Sequence, residues 1–252
     1  AIAIEIGGSL EKFSQMMNEK AKEIGALNSN FTNPHGLHDD NHYTTAYDLA
    51  IITREALKYK DFQEISKAKN WTADREVNNY FLNKNKTLWQ YDGGDGIKTG
   101  FTKAAGRCLV TSATRNGMQV IAVVLNDGNW FNDCYSLMDF GFDSYKPFVI
   151  YSKNQFIKNI DVYDGTKDNV ALITKDELIF PLKENEKDRL KLVVKLNKQS
   201  VKAPVKRNDV MGNLQVYLDG ELMAKTDLLT NINVKEKSRY LKMKDTLKKI
   251  VK

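Results

Sequence analysis

The 252-residue sequence has only two cysteines, Cys108 and Cys134, and they lack the spacing of metal ligands. Both stand in apolar surroundings, which fits two buried thiols; a disulfide between them stays open for an oxidising compartment. No apolar run approaches the ~20 residues that a membrane-spanning helix needs. No leader-peptide pattern and no initiator methionine are read in these residues. The chain opens on Ala1-Ile2-Ala3-Ile4-Glu5-Ile6, which reads as a packed element entered part-way and fits a processed or truncated product. Excess charge is missing from most of the chain. The net charge is +6, and residues 234–252 carry seven lysines and Arg239 against Glu236 and Asp245, which accounts for all of it. A balanced body excludes a basic nucleic-acid-binding surface, so no nucleic acid is expected as a partner.

What remains is the composition of a globular protein, 42% hydrophobic and 28% charged. Leu10, Phe13, Met16, Met17, Ala21 and Ile24 recur at helical spacing, with Ser9 placed to cap the helix and Gly25 to end it. A second helix is expected from about Thr45, where Thr45-Ala46-Tyr47-Asp48 fits a capping box. A short helix around Phe62 and Ile65 is followed by two extended segments within 68–82 and a polar loop over 83–89. Strands are expected at about 97–102, 106–114 and 118–125, the last two joined at Asn116-Gly117, a strong hairpin signal. A helix with Trp130, Phe131, Cys134, Tyr135 and Met138 ends near Pro147, its aromatic rings at core spacing. From there to about 233, short alternating runs split by turns such as Asp164-Gly165, Lys183-Glu184-Asn185 and Asp219-Gly220 read as a small all-β domain. Residues 234–252 read as a basic helix with a narrow stripe of Tyr240, Met243, Leu247, Ile250 and Val251. A helix of this kind lies on an anionic membrane surface or stays solvated.

The chemistry concentrates in Asp95-Gly96-Ile97-Lys98-Thr99-Gly100. The Lys98 ammonium can hold an anionic group such as a peptide C-terminal carboxylate, and the Thr99 hydroxyl can donate to the same group. Gly100 has no Cβ, so a ligand can lie along the strand. Lys84 and Lys86 form a second basic pair that can reach such a carboxylate. All three histidines fall in His35-Gly36-Leu37-His38-Asp39-Asp40-Asn41-His42. Imidazoles with carboxylates can bind zinc, but the glycine and mixed spacing indicate an irregular loop, and no metal site is assigned.

These pieces, in this order, resemble the serine-type D-alanyl-D-alanine carboxypeptidases, the low-molecular-mass penicillin-binding proteins. The resemblance runs through Asn33-Pro34-His35-Gly36-Leu37, the helix start at Tyr43 to Asp48, and Asp95 to Thr102 with Ala105-Gly106. It continues in Ala203-Pro204-Val205, Val210-Met211-Gly212 and Leu218-Asp219-Gly220. It implies an α+β fold. Residues 1–147 would be part of a penicillin-binding, serine β-lactamase-like transpeptidase domain with an antiparallel sheet and helices. Residues 148–233 would form the β-rich domain, and 234–252 the membrane-attaching tail. The implied reaction is removal of the terminal D-Ala from peptidoglycan stem peptides by serine acyl transfer, without a cofactor, outside the cytoplasmic membrane. β-Lactams would acylate the same serine. Lys98, Thr99 and Gly100 would bind substrate, helped by Lys84, the basic residue the family often has in this loop, and by His35 lining the cleft.

One part of the family pattern is displaced. Its Ser-x-x-Lys and Ser-x-Asn motifs should precede Lys-Thr-Gly, upstream of Ala1. Ser9-Leu10-Glu11-Lys12, Ser66-Lys67-Ala68-Lys69 and Ser152-Lys153-Asn154 fit the patterns but stand in the wrong places. No catalytic residue is therefore assigned in this chain, and its own N-terminal fragment is an expected partner. The expected face around Ile2, Ile4 and Ile6 would be exposed. Two alternatives remain: a catalytically silent cell-wall peptide-binding module, and a serine β-lactamase, which the β-rich second domain disfavours.

Overall fold

A computed structural model describes residues 1–241 and Met243. The chain divides into two compact units, Ala1–Ser144 and Tyr145–Lys252. The first unit holds helices α1 (Ile2–Gly7), α2 (Leu10–Glu23), α3 (Ala46–Ala56) and α4 (Lys60–Lys67), then a two-stranded hairpin, β1 (Asn70–Thr72) and β2 (Tyr80–Leu82). A one-turn helix, α5 (Thr87–Gln90), interrupts the expected polar loop. The antiparallel sheet β3 (Gly94–Thr102), β4 (Gly106–Arg115) and β5 (Met118–Val124) follows, and α6 (Trp130–Ser144) ends the unit.

Local chemistry explains these elements. Ser9 caps α2 by accepting the Lys12 N–H at 3.2 Å. Asn116 and Gly117 both have positive φ, 51° and 80°, and join Arg115 to Met118 as a two-residue hairpin. At α3 only half of the expected capping box forms. Thr45 Oγ1 accepts the Asp48 N–H at 3.1 Å, but the Asp48 carboxylate turns away. It is buried and accepts the Asn28 N–H at 2.6 Å and the Ser29 hydroxyl at 2.7 Å. A charge-assisted bond to a neighbouring loop has displaced the local one, and it ties the base of the histidine-bearing loop to α3. Ile2, Ile4 and Ile6 are exposed on α1.

The core of the first unit lies between α6 and strands β4 and β5, with Leu109, Ala113, Phe131, Cys134 and Met138 buried. Both cysteines are free thiols. Burial, with Asp127 and Asp133 nearby, pushes the Cys134 thiol up to about 12, so almost no thiolate forms near neutral pH. The expected result of titration with a chromogenic disulfide is one reactive thiol in the native chain, Cys108, and two after denaturation. Two fast thiols in the native chain would mean that α6 does not pack as described.

The second unit is a six-stranded sheet in the order β10-β12-β13-β8-β7-β11 with a two-stranded pair β6-β9. The strands are β6 (Lys146–Tyr151), β7 (Phe156–Tyr163), β8 (Asn169–Thr174), β9 (Leu178–Leu182), β10 (Leu190–Leu196), β11 (Ser200–Lys202), β12 (Val210–Leu218) and β13 (Glu221–Thr230). Ile160, Val162, Leu172, Leu214, Val216 and Leu228 fill its core. The tail begins later than its charge pattern suggests. Val234 is buried and pairs reciprocally with Val205, at 2.8 and 2.9 Å, and Glu236 bridges to Gly165. Residues 234–236 are thus tied into the β-rich unit. Of the expected basic stripe, Tyr240 and Met243 are exposed, whereas Leu247, Ile250, Val251 and most of the tail lysines lie outside the described residues.

Candidate active site

The site starts at a bulge. In β3, Gly94 faces Ala113 and Gly96 faces Ser112, which leaves Asp95 as the extra residue. The flanking glycines have a steric reason. A Cβ at Gly94 would sit 2.2 Å from the Thr87 carbonyl oxygen, and one at Gly96, where φ is +130°, would press on Ser66. The bulge turns the Asp95 carboxylate inward, where it is 1% exposed. It accepts the hydroxyls of Ser112 at 3.2 Å and Thr114 at 2.5 Å, and the Gln119 amide N–H at 2.8 Å. The Lys67 ammonium stands 4.0 Å away. Thr111 donates its hydroxyl to the Gly96 carbonyl at 2.6 Å. A buried anion with these donors fixes the start of β3 on β4 and β5.

Three residues on, Lys98 is exposed and its ammonium folds back onto the Thr99 carbonyl. Among the described residues β3 is an outer strand of its sheet. At Gly100 a Cβ would meet nothing within 4 Å, and φ is not positive, so neither packing nor backbone conformation within the chain calls for glycine there. Lys84 reaches the same place from the loop after β2. Asn83 and Asn85 hold that loop on both sides of it. Asn83 donates to the Ala68 carbonyl at 3.1 Å and accepts the Asn85 N–H at 2.9 Å; Asn85 accepts the Thr87 N–H at 3.1 Å. Lys84, Lys98 and Thr99 line one cleft of about 540 Å³ with Phe62, Ile65 and Ser66.

Lys86 is not among the residues lining the cleft; its ammonium lies over the Phe131 ring at 5.7 Å. His35 is not among them either. It is exposed, and its Nδ1 accepts the Leu37 N–H at 3.2 Å. Its loop is folded on itself by Asn33, which accepts the Gly36 N–H at 2.7 Å and donates to the Leu37 carbonyl at 3.0 Å. Two of the serine lookalikes, Ser9 and Ser66, are engaged structurally. Ser9 is a helix cap. Ser66 lines the cleft but is 7% exposed, and its hydroxyl donates to the carbonyls of Gln63 at 3.1 Å and Asp95 at 3.3 Å.

A two-unit chain of this kind, with a lysine–threonine cleft along an outer strand and an all-β unit behind it in sequence, is a low-molecular-mass penicillin-binding protein in fold class. Residues 1–129 match the family described as D-alanyl-D-alanine carboxypeptidase, and residues 145–236 match the C-terminal domain of penicillin-binding protein 5. The chain belongs to the D-alanyl-D-alanine carboxypeptidase family. It is 31% identical over 253 residues to the D-alanyl-D-alanine carboxypeptidase DacF of Bacillus subtilis, covering 98% of this chain and 65% of that protein. It is also 31% identical over 257 residues to DacA of Haemophilus influenzae, covering 98% and 64%. The chain therefore spans a little under two thirds of the length of these relatives. Penicillin-binding protein 5 of Haemophilus influenzae superposes with a TM-score of 0.62 at 30% identity, over 93% of this chain and 69% of that one. PBP3 of Streptococcus pneumoniae, at 24% identity, shares the fold with a TM-score of 0.75 over 93% of this chain and 73% of that one.

Proposed function

We propose that this chain holds the substrate-binding part of a penicillin-sensitive D-alanyl-D-alanine carboxypeptidase, with Lys98, Thr99 and Lys84 receiving the C-terminal carboxylate of a stem peptide. The convergence of these three residues in one cleft beside the bare backbone of Gly100 carries the reading. Two ammonium groups and a hydroxyl complement one carboxylate, and the outer strand offers its backbone to an extended peptide. The reaction is release of the terminal D-Ala by serine acyl transfer, on the wall-facing side of the cytoplasmic membrane, with the basic tail at the membrane surface. The nucleophile and its lysine base are assigned outside residues 1–252. Ser66 supports this: its hydroxyl is already engaged with two backbone carbonyls.

The test pairs a reversible with a covalent probe. A peptide ending in D-Ala-D-Ala should bind the chain reversibly, whereas a labelled penicillin should leave no adduct in an intact-mass spectrum. A penicilloyl adduct on this chain would overturn the placement of the nucleophile. Absence of peptide binding would overturn the carboxylate anchor.

A further inference from the structure

The second unit has a pocket of its own, of about 380 Å³. Three segments meet there: the end of β7 at Tyr163, the turn and short strand from Asn197 to Lys202, and the start of β12. Parallel pairing sets Lys202 opposite Tyr163. The preceding pair, Val201 and Val162, is buried, so Lys202 and Tyr163 stand on the outer face. The Asn197 N–H donates to the Met211 carbonyl at 2.9 Å and fixes the Asn197-Lys198 turn against β12. Pro204 and Val210 give the pocket an exposed apolar wall, and the buried Val205 closes it toward the core. Its polar groups are short of partners. Among the described residues, the side chains of Tyr163, Asn197 and Lys198 make no hydrogen bond or ion pair. Lys202 meets Asp164 at 3.7 Å, with 58% and 38% of the two side chains exposed, an exchangeable contact. Asp209 also lines the pocket, and its carboxylate accepts the Lys206 N–H at 2.8 Å.

Each free group points to a part of one ligand. Two flexible ammonium groups act as point charges and suit a phosphate, whose charge is spread over its oxygens. A primary amide and a phenol, which both donate and accept, suit the hydroxyls of a polyol. A short carbon skeleton fits against Pro204 and Val210. We propose that this pocket binds a polyol phosphate diester of the glycerophosphoglycerol type. The phosphate lies between Lys198 and Lys202, and the hydroxyls lie on Asn197 and Tyr163. Such an ester arrives either as a soluble fragment or as the headgroup of a lipid. Position in the fold favours the lipid. Val205 in the pocket wall is bonded to Val234 at 2.8 and 2.9 Å, and the lysine-rich segment begins there, so pocket and tail meet the same anionic surface. The pocket is independent of the carboxylate-anchor reading, because none of its residues belongs to the first unit.

The experiment titrates the full, isotope-labelled chain with glycerophosphoglycerol and follows backbone amide resonances at about 0.15 M salt. Saturating shifts are expected at Tyr163, at residues 197–202 and at residues 209–211, with the rest of the spectrum unchanged. Lys198→Ala and Lys202→Ala should each weaken binding about fivefold, the scale of one lysine at an anionic surface. The pair Lys191→Ala and Lys195→Ala removes the same charge from β10 outside the pocket and should leave binding nearly unchanged. All four side chains are exposed, and an unaltered spectrum elsewhere verifies the fold of each variant. A second arm measures binding to vesicles of phosphatidylglycerol and phosphatidylcholine. A larger loss for the Lys198/Lys202 pair than for the Lys191/Lys195 pair supports the lipid headgroup as the source. Equal losses, with the soluble ester still bound in the pocket, overturn the lipid source and assign the pocket to a soluble ester. The pocket itself is overturned if the ester produces no saturating shifts, if binding survives the loss of both Lys198 and Lys202, or if the Lys191/Lys195 pair weakens it as much.

Discussion

Asp95→Ala is expected to cost the first unit about 3–5 kcal/mol, the scale for removing one partner of a buried charged network. The carboxylate is 1% exposed and gathers donors from Ser112, Thr114 and Gln119. Alanine leaves these donors facing a cavity, and it leaves the Lys67 ammonium, 4.0 Å away, without its anion. Typical domains are stable by only about 5–15 kcal/mol, so the loss is a large share of the total. Asp95→Asn separates shape from charge. Its amide keeps the volume and one acceptor: the oxygen stays with Thr114 and Gln119, and the Ser112 hydroxyl rotates to accept the amide N–H, so a cost of about 1–2 kcal/mol is expected. Urea denaturation followed through tryptophan fluorescence measures both. If Asp95→Ala unfolds within 1 kcal/mol of the parent, the network does not hold β3 as described.

Lys98→Ala should weaken binding of a D-Ala-D-Ala peptide by about 10- to 100-fold, since a hydrogen bond to a charged group contributes roughly 1.5–3 kcal/mol. Stability should be almost unchanged, because the side chain is exposed and its bond within the chain goes to the neighbouring Thr99 carbonyl. Lys84→Ala should lose less, about 3- to 10-fold, as its ammonium is an exposed point charge on a flexible stem. Raising the salt should weaken the parent more than either variant, because exposed charges are screened. Calorimetry at two ionic strengths checks all of this. A Lys98→Ala chain that binds the peptide as the parent does would remove the reading of the cleft.

Much of this was legible in the sequence where the cause is local. The α2 cap at Ser9 depends on a residue three positions away, and the hairpin at Asn116-Gly117 on two residues that accept positive φ. Lys98-Thr99-Gly100 was legible because strand, ammonium and bare backbone are consecutive. The Asp95 network was not, because its donors lie 17 to 24 residues downstream. The available signal was a run of polar residues, Thr111, Ser112 and Thr114, in a strand that is otherwise apolar at its centre. At Asp48 a local capping box looked sufficient, and the fold supplied better donors from residues 28 and 29. His35 was expected in the cleft, but hydrogen bonds from Asn33 close its loop upon itself.

By itself the sequence determined the longer helices and the Asn116-Gly117 hairpin, the passage from mixed to all-β structure, the charge confined to the tail, and the Lys98-Thr99-Gly100 segment proposed here as a carboxylate anchor. Periodicity, caps and turns follow from backbone chemistry within a few residues, so they are written locally. Tertiary structure decided which groups meet. It decided that the β3 bulge buries Asp95 and that Lys84 rather than Lys86 lines the Lys98 cleft. Those meetings depend on register and on which distant donors are left to satisfy a buried charge, and neither is encoded at any one position.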